Sequence, residues 1–278
     1  MLAHYMVGDP QAPLVVLVHG VTGSATTWTD LIQHLSSSYC IAAIDMLGHG
    51  LSPRYNEHTL VSPGDAGAVA LEETLNYLVK THGKKAILIG HSMGGSLSSS
   101  VASKRPELVS GLILEDPAWS SPEQKAAYQT HTDEYLSYAK RIWQRNPIAT
   151  LTQNVEERGL STPDFEQPGS DGSHGWSVPA HHGWAFAKPL VDVNLIATGI
   201  TAVSQPWQEI ARALTIPTVV ITSDGADIII GHRGAAEIAA LGNPHITVEF
   251  IAGVGHNIRH SAPAEYAAIV DRYLAQWR

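Results

Sequence analysis

The chain has one cysteine, Cys40, in 278 residues, so it cannot form an internal disulfide and lacks the cross-links of small secreted scaffolds. Cys40 opens the run CIAAID, which reads as a buried strand, and is expected to be a small buried hydrophobe rather than a nucleophile. Positive charge is also scarce. Seventeen lysines and arginines stand against 26 carboxylates, giving a formal net charge of -9, and no polybasic run occurs. This argues against a nucleic-acid partner, because phosphate binding needs a basic face. No stretch reaches the ~18 uninterrupted apolar residues of a membrane span. The segment MLAHYMVGDPQAP has no basic stretch leading into an apolar run and a small-residue cleavage site. The expectation is a cytoplasmic protein without a signal peptide or a membrane partner.

The sequence does contain the material for a large core, since 44% of its residues are hydrophobic. From residue 14, short apolar runs alternate with longer amphipathic stretches. The runs LVVLVHG (14–20), CIAAID (40–45), AILIGHS (86–92), GLILED (111–116), TVVITS (218–223) and TVEFIAG (247–253) predict strands. Continuous β-branched and leucine runs of this kind belong to strands buried on both faces. Helices are predicted at 28–35, 66–80, 95–104, 232–241 and 263–277. In the clearest of them Val69, Leu71, Leu75, Leu78 and Val79 fall mostly on one apolar stripe, while Glu72, Glu73 and Lys80 can face water. The fold class implied is α/β, a mostly parallel sheet flanked by helices.

The rhythm breaks between about 117 and 206, where helical segments hold Trp119, Trp143, Trp176 and Trp184. This interval reads as an inserted helical cap of residues 117–206 on a core of residues 1–116 and 207–278. The stretch 159–179, rich in Gly, Pro and Ser, reads as a long loop near an opening.

The strongest local signal is Gly90-His91-Ser92-Met93-Gly94-Gly95, directly after a strand and before a helix of small residues. A G-x-S-x-G elbow needs this context, because the turn is too sharp for side chains two residues either side of the serine. Ser92 is the candidate nucleophile. A serine hydroxyl is weakly nucleophilic at neutral pH, so it needs a base within hydrogen-bond reach and donors for the oxyanion that forms. His256, in GVGHN after the last strand and before the terminal helix, is the candidate base. The amides of Met93, after the serine, and Val21, after the first long strand, are the candidate oxyanion donors. His19, at that strand's end, reads as a structural histidine.

The acid that would orient His256 has three candidates. The usual place is the loop after TVVITS, which carries Asp224 and Asp227; Asp116, ending the preceding strand, is the other, with Glu115 beside it. A carboxylate that merely caps a helix or loop would look the same at any of these positions.

Together these residues resemble the α/β-hydrolase superfamily over nearly the whole chain. The matching motifs are His19-Gly20, the segment Asp45 to Ser52 as D-x-x-G-x-G-x-S, GHSMGG at 90–95 and GVGHN at 253–257. The D-x-x-G-x-G-x-S segment lacks the Lys-Ser/Thr pair of a phosphate loop and reads as a structural turn. Two departures stand out: the first strand of the usual N-terminal hairpin is missing or very short, and the loop after TVVITS carries an extra residue. The stretches Glu115-Asp116-Pro117-x-Trp119 and Trp184-Ala185-x-x-Lys188 resemble a bacterial and fungal subgroup with lactone- and ester-cleaving members.

The resemblance implies a serine hydrolase acting on a small-molecule ester or lactone through an acyl-serine, with no metal and no cofactor. Trp119 and Trp184 are candidate substrate-binding residues of a mostly apolar pocket under the cap. The adjacent His181 and His182 lack the spacing of a metal site. Two other readings use the same residues: carbon–carbon bond hydrolysis or perhydrolysis on the same triad, and a ligand-binding protein without turnover. The sequence carries no signal for oligomeric state.

Overall fold

The computed structural model describes residues 1–144 and 176–277. Seven strands form one sheet: β1 (His4–Val7), β2 (Leu14–Val18), β3 (Cys40–Ile44), β4 (Ala86–His91), β5 (Val109–Glu115), β6 (Thr218–Thr222) and β7 (Ile246–Phe250). Their order among the described residues is β1-β3-β2-β4-β5-β6-β7. Only β1 runs antiparallel, paired to β3; every other pairing is parallel. All six strands predicted from the sequence form. β1, from the HYMVG segment, is an edge strand whose Tyr5, Met6 and Val7 are exposed.

Alternation along each strand divides the interior into two layers. Val16, Val18, Leu88, Leu112, Leu114 and Val220 point to one face, where they pack with Leu71 and Leu75 of α2 (Pro63–His82) and with Leu97 and Val101 of α3 (Met93–Lys104). Val15, Leu17, Ile87, Ile89, Ile113, Val219 and Ile221 point to the other, against α1 (Thr29–Leu35) and the terminal helix Pro263–Gln276. Covering on both sides is why β2 and β3 have no polar residue, and Cys40 is buried there as expected.

Proline at the first position starts α2, and Gly83 stops it in the left-handed conformation, its N–H bonded to the Val79 carbonyl. Its buried stripe is Leu71, Thr74, Leu75 and Leu78. Val69 does not belong to it. At 57% exposure Val69 faces water, because it lies about 200° around the helix from Leu71 and a 3.6-residue period cannot place both on one face.

Between β5 and β6 the chain leaves the sheet, giving the helical insertion. Its described part holds α4 (Pro122–Thr130), α5 (Thr132–Tyr138), α6 (Val178–Ala187) and α7 (Val193–Thr198). The loop expected over 159–179 lies outside the described residues as far as 175. Beyond it, Trp176 is buried and Ser177 caps α6. A further helix, α8 (Trp207–Ala213), returns the chain to the core. At seven residues it is too short to show a periodic signal. After β6 come α9 (Gly231–Ala240), a single turn α10 (Ile258–Ser261) and the terminal α11 (Pro263–Gln276). Among the described residues no helix is long and apolar enough to cross a membrane.

The topology also locates a site. From β2 the chain steps to β3 on one side, then crosses to β4 on the other, so a crevice opens above the C-terminal ends of β2 and β4. Stability should follow the layering. Leu75→Ala, at a fully buried position, is expected to cost about 2–5 kcal/mol in urea denaturation, whereas Val69→Ala should stay within about 0.5 kcal/mol.

Candidate active site

Ser92 stands between the last residue of β4 and the first of α3 with φ 53° and ψ −118°, a conformation that strains an L-residue. Its backbone is held on both sides: the N–H donates to the Glu115 carbonyl at 3.0 Å, and its own carbonyl accepts from Ala118 N at 2.9 Å. The neighbouring glycines are sterically required. A Cβ on Gly94 would lie 2.2 Å from the Val18 carbonyl oxygen, one on Gly90 2.6 Å from the Gly94 carbonyl oxygen, and one on Gly95 2.8 Å from Pro117 Cβ. The first amides of α3, Met93 among them, have no acceptor within the helix and are open to an anion.

His256 arrives on the loop after β7. Its Nδ1–H donates to Asp116 Oδ2 at 2.6 Å. Asp116 is fully buried at the tip of β5, in a left-handed conformation with φ 36°. The same oxygen accepts from Ile229 N at 2.9 Å, while Oδ1 accepts from Ile230 N at 3.0 Å and Thr222 Oγ1 at 3.3 Å. The other two aspartates hold the backbone. Asp227 Oδ1 accepts from the amide of His256 at 3.0 Å, and Asp224 Oδ1 from that of Gly253 at 2.6 Å. The sequence placed the acid first in the 224–227 loop, but the structure brings Asp116 to the imidazole. The loop turns so that its amides at 229 and 230 face the buried carboxylate, leaving Asp224 and Asp227 on the approaching 253–256 segment.

Burial pushes the His256 imidazole toward its neutral form. The Asp116 hydrogen bond, aided by the charges of Asp116, Asp227 and Glu115, outweighs it and leaves the pKa above its ordinary value. His91 behaves oppositely: burial first, then the charges of Arg259 and His256, hold it well below the usual range, and it stays neutral. Its Nε2–H donates to the His256 carbonyl at 3.1 Å. His19 uses both ring nitrogens on backbone, accepting from Met46 N at 2.9 Å and donating to the Gly20 carbonyl at 2.7 Å. Sequence reasoning missed the buried pair beside these groups, in which Glu115 accepts from the amide and the guanidinium of Arg259, each at 2.9 Å. Its signal was an arginine three residues after the histidine and a second carboxylate beside Asp116.

Ser92, His256 and Val21 line one cavity of about 620 Å³, with Tyr128, Trp143 and Trp184 on its aromatic side. Trp184 is therefore where a substrate-binding residue was expected. Trp119 is not among the lining residues: it is 2% exposed, donates from Nε1 to Ser99 Oγ at 3.1 Å and stacks on Trp207 at 5.4 Å. The hydrogen bond from Ala118 to the Ser92 carbonyl draws the chain along α3 and turns Trp119 into the core. The D-x-x-G-x-G-x-S segment is a turn, with Asp45 accepting from the amides of Ala25 at 2.8 Å and Leu51 at 2.9 Å. Among the described residues no cluster of three or more His, Cys, Asp or Glu side chains could hold a metal ion.

A family model described as "alpha/beta hydrolase fold" matches residues 13–263. The chain is 26% identical to lipase LipV of Mycobacterium tuberculosis over 287 aligned positions, 95% of each protein. Among solved structures, E-2-(acetamidomethylene)succinate hydrolase superposes with a TM-score of 0.75 at 18% identity, over 99% of this chain and 95% of that one. A thermophilic esterase from Thermogutta terrifontis superposes with a TM-score of 0.68 at 22% identity, over 99% and 93%.

The Asp116 to His256 contact has a direct titration signature. Because the folded-state pKa of His256 lies above its unfolded value of about 6.5, the pair's contribution to stability is fully present below that value and is lost as pH rises through the folded one. An NMR titration of the imidazole is expected to show a midpoint above 6.5 in the wild type and below it in Asp116→Asn, where burial acts unopposed by that carboxylate. A midpoint unmoved by the substitution would contradict this account.

Proposed function

This chain belongs to the α/β-hydrolase fold family, and we propose that within it the protein is a serine hydrolase cleaving an ester or lactone bond of a small, mostly apolar molecule through an acyl-serine. One observation carries the reading: the 2.6 Å contact of His256 with buried Asp116, on an imidazole that shares its cavity with the strained Ser92. The relatives support it, since LipV is a lipase and the Thermogutta protein an esterase.

In this mechanism Ser92 attacks the substrate carbonyl as His256 takes the hydroxyl proton through Nε2. Asp116, bonded to Nδ1, holds the ring in the required tautomer and stabilises the imidazolium that forms. The carbonyl oxygen becomes an oxyanion that accepts from the amides of Met93 and Val21. The alcohol leaves with the proton from His256, and water then repeats the cycle on the acyl-serine. Serine, imidazole, carboxylate and amides supply every step. The insertion of residues 117–206 acts as the cap, its Trp143, Trp184 and Tyr128 presenting an aromatic wall to an apolar acyl or alcohol group.

The test is active-site labelling with a fluorophosphonate, followed by turnover of a p-nitrophenyl ester and lactone series. The wild type should label and Ser92→Ala should not. Asp116→Asn should lose about 10⁴-fold in kcat through the wrong tautomer, and Asp227→Asn no more than about 10²-fold through displacement of the His256 loop. A larger loss in Asp227→Asn than in Asp116→Asn would move the acid back to the later loop.

A further inference from the structure

Three consecutive backbone carbonyls of the loop after β2 are each held by a buried side chain. The Gly20 oxygen accepts from His19 Nδ1 at 2.7 Å and also from Gly23 N at 2.9 Å. The Val21 oxygen accepts from His49 Nε2 at 2.6 Å. The Thr22 oxygen accepts from Lys188 Nζ at 3.1 Å, and the Thr22 hydroxyl lies 2.6 Å from the same ammonium. His19 and His49 belong to the core, whereas Lys188 follows α6 in the helical insertion. A trans peptide sets its C=O and N–H on opposite sides, so holding the Gly20 carbonyl also aims the Val21 amide.

Lys188 is 3% exposed and lines the cavity that holds Ser92. Its ammonium lies 4.1 Å from the centre of the Trp184 ring and 5.1 Å from that of Trp143. Two further hydrogen bonds fasten α6 to the segment that follows the loop: Ser177 Oγ to Asp30 at 2.6 Å and Thr26 Oγ1 to the Gly183 carbonyl at 2.9 Å. The helix also lies backbone to backbone there, since a Cβ on Gly183 would sit 2.2 Å from the Thr26 carbonyl oxygen. Burying an ammonium is strongly unfavourable unless polar atoms or ring faces surround it, as the two Thr22 oxygens and the Trp184 and Trp143 rings do here.

We propose that Lys188 is a positioning residue for the oxyanion: through Thr22 it fixes the loop that aims the Val21 amide, and its charge adds positive potential where the tetrahedral oxygen develops. This rests on the serine-hydrolase reading. A fixed donor array in a water-poor site acts most strongly on charge that appears only in the transition state, so the contribution falls on kcat.

The experiment compares Lys188→Met, Lys188→Arg and Thr22→Val on the best p-nitrophenyl ester, with inhibition by the matching trifluoromethyl ketone, which forms a serine hemiketal, and by the product acid. Lys188→Met should lower kcat by about 10- to 100-fold with KM within about threefold. Ketone affinity should fall in parallel with kcat/KM while product-acid affinity holds. Lys188→Arg should recover part of the loss, and Thr22→Val should lose in the same sense to a smaller degree. A rise in KM alone would overturn the proposal and make Lys188 a ground-state contact. Should Lys188→Met fail to fold, wild-type kcat and ketone affinity in both Lys188→Arg and Thr22→Val would overturn it equally. A wild type that the fluorophosphonate does not label would remove the hydrolase reading and this proposal together; normal labelling with unchanged variants would remove this proposal alone.

Discussion

The Asp116 carboxylate is the interaction around which the site is arranged. Fully buried at the end of β5, it accepts from His256 Nδ1, from the amides of Ile229 and Ile230 and from the Thr222 hydroxyl, four donors drawn from the β6 strand end and the loops after β6 and β7. A buried carboxylate short of donors would be strongly unfavourable. This one is satisfied only when the loop after β6 curls over it and the loop after β7 delivers the imidazole, so the charge that serves the site also enforces its assembly. Asp227 and Asp224 contribute from the other side by tying the amides of His256 and Gly253.

Strain collects at the same edge. Among the described residues only Ser92 and Asp116 are non-glycine residues with positive φ, and they end the adjacent strands β4 and β5. Both are pinned by main-chain hydrogen bonds, Ser92 N to the Glu115 carbonyl and Asp116 N to the Ile221 carbonyl at 2.9 Å. Such conformations persist only where surrounding packing over-determines them. Here the packing is the close approach of α3 to the sheet, possible because Gly90, Gly94 and Gly95 carry no Cβ. The buried pair of Glu115 and Arg259 holds the start of α10 to the end of β5, three residues beyond His256.

The aromatic residues of the insertion divide between two tasks. Trp143 and Trp184 line the cavity with the Lys188 ammonium beside both rings, while Trp119 stacks on Trp207 of α8 and belongs with it to the main core. Trp119 and Trp184 look alike in the sequence, each a tryptophan inside the interrupted interval. What separates them is the direction of the backbone after Asp116, where Ala118 N bonds the Ser92 carbonyl across the fold, and no local pattern encodes that.

Much of the fold was legible because its signals are local. Apolar runs of four to seven residues mark strands covered on both faces, and the elbow glycines mark a turn whose sterics involve only neighbouring residues and the strand beside them. From these the parallel sheet, Ser92 and the strand end carrying His256 could be read directly. Val69 shows the limit of the helical pattern, since its hydrophobicity suggested burial that its angle around α2 does not allow. The partner of His256 was not legible for a different reason. Asp116, Asp224 and Asp227 are all strand-end or loop carboxylates, and which one meets the ring depends on how loops more than 100 residues apart in sequence pack over one another. The turn that carries Ser92 and the layers of the sheet are written in the sequence, because neighbouring residues decide those. Which carboxylate meets His256, which side chains hold the loop after β2 and which residues wall the cavity emerge only in the folded chain, because a hydrogen bond across the fold depends on distance in space and leaves no periodicity in the chain.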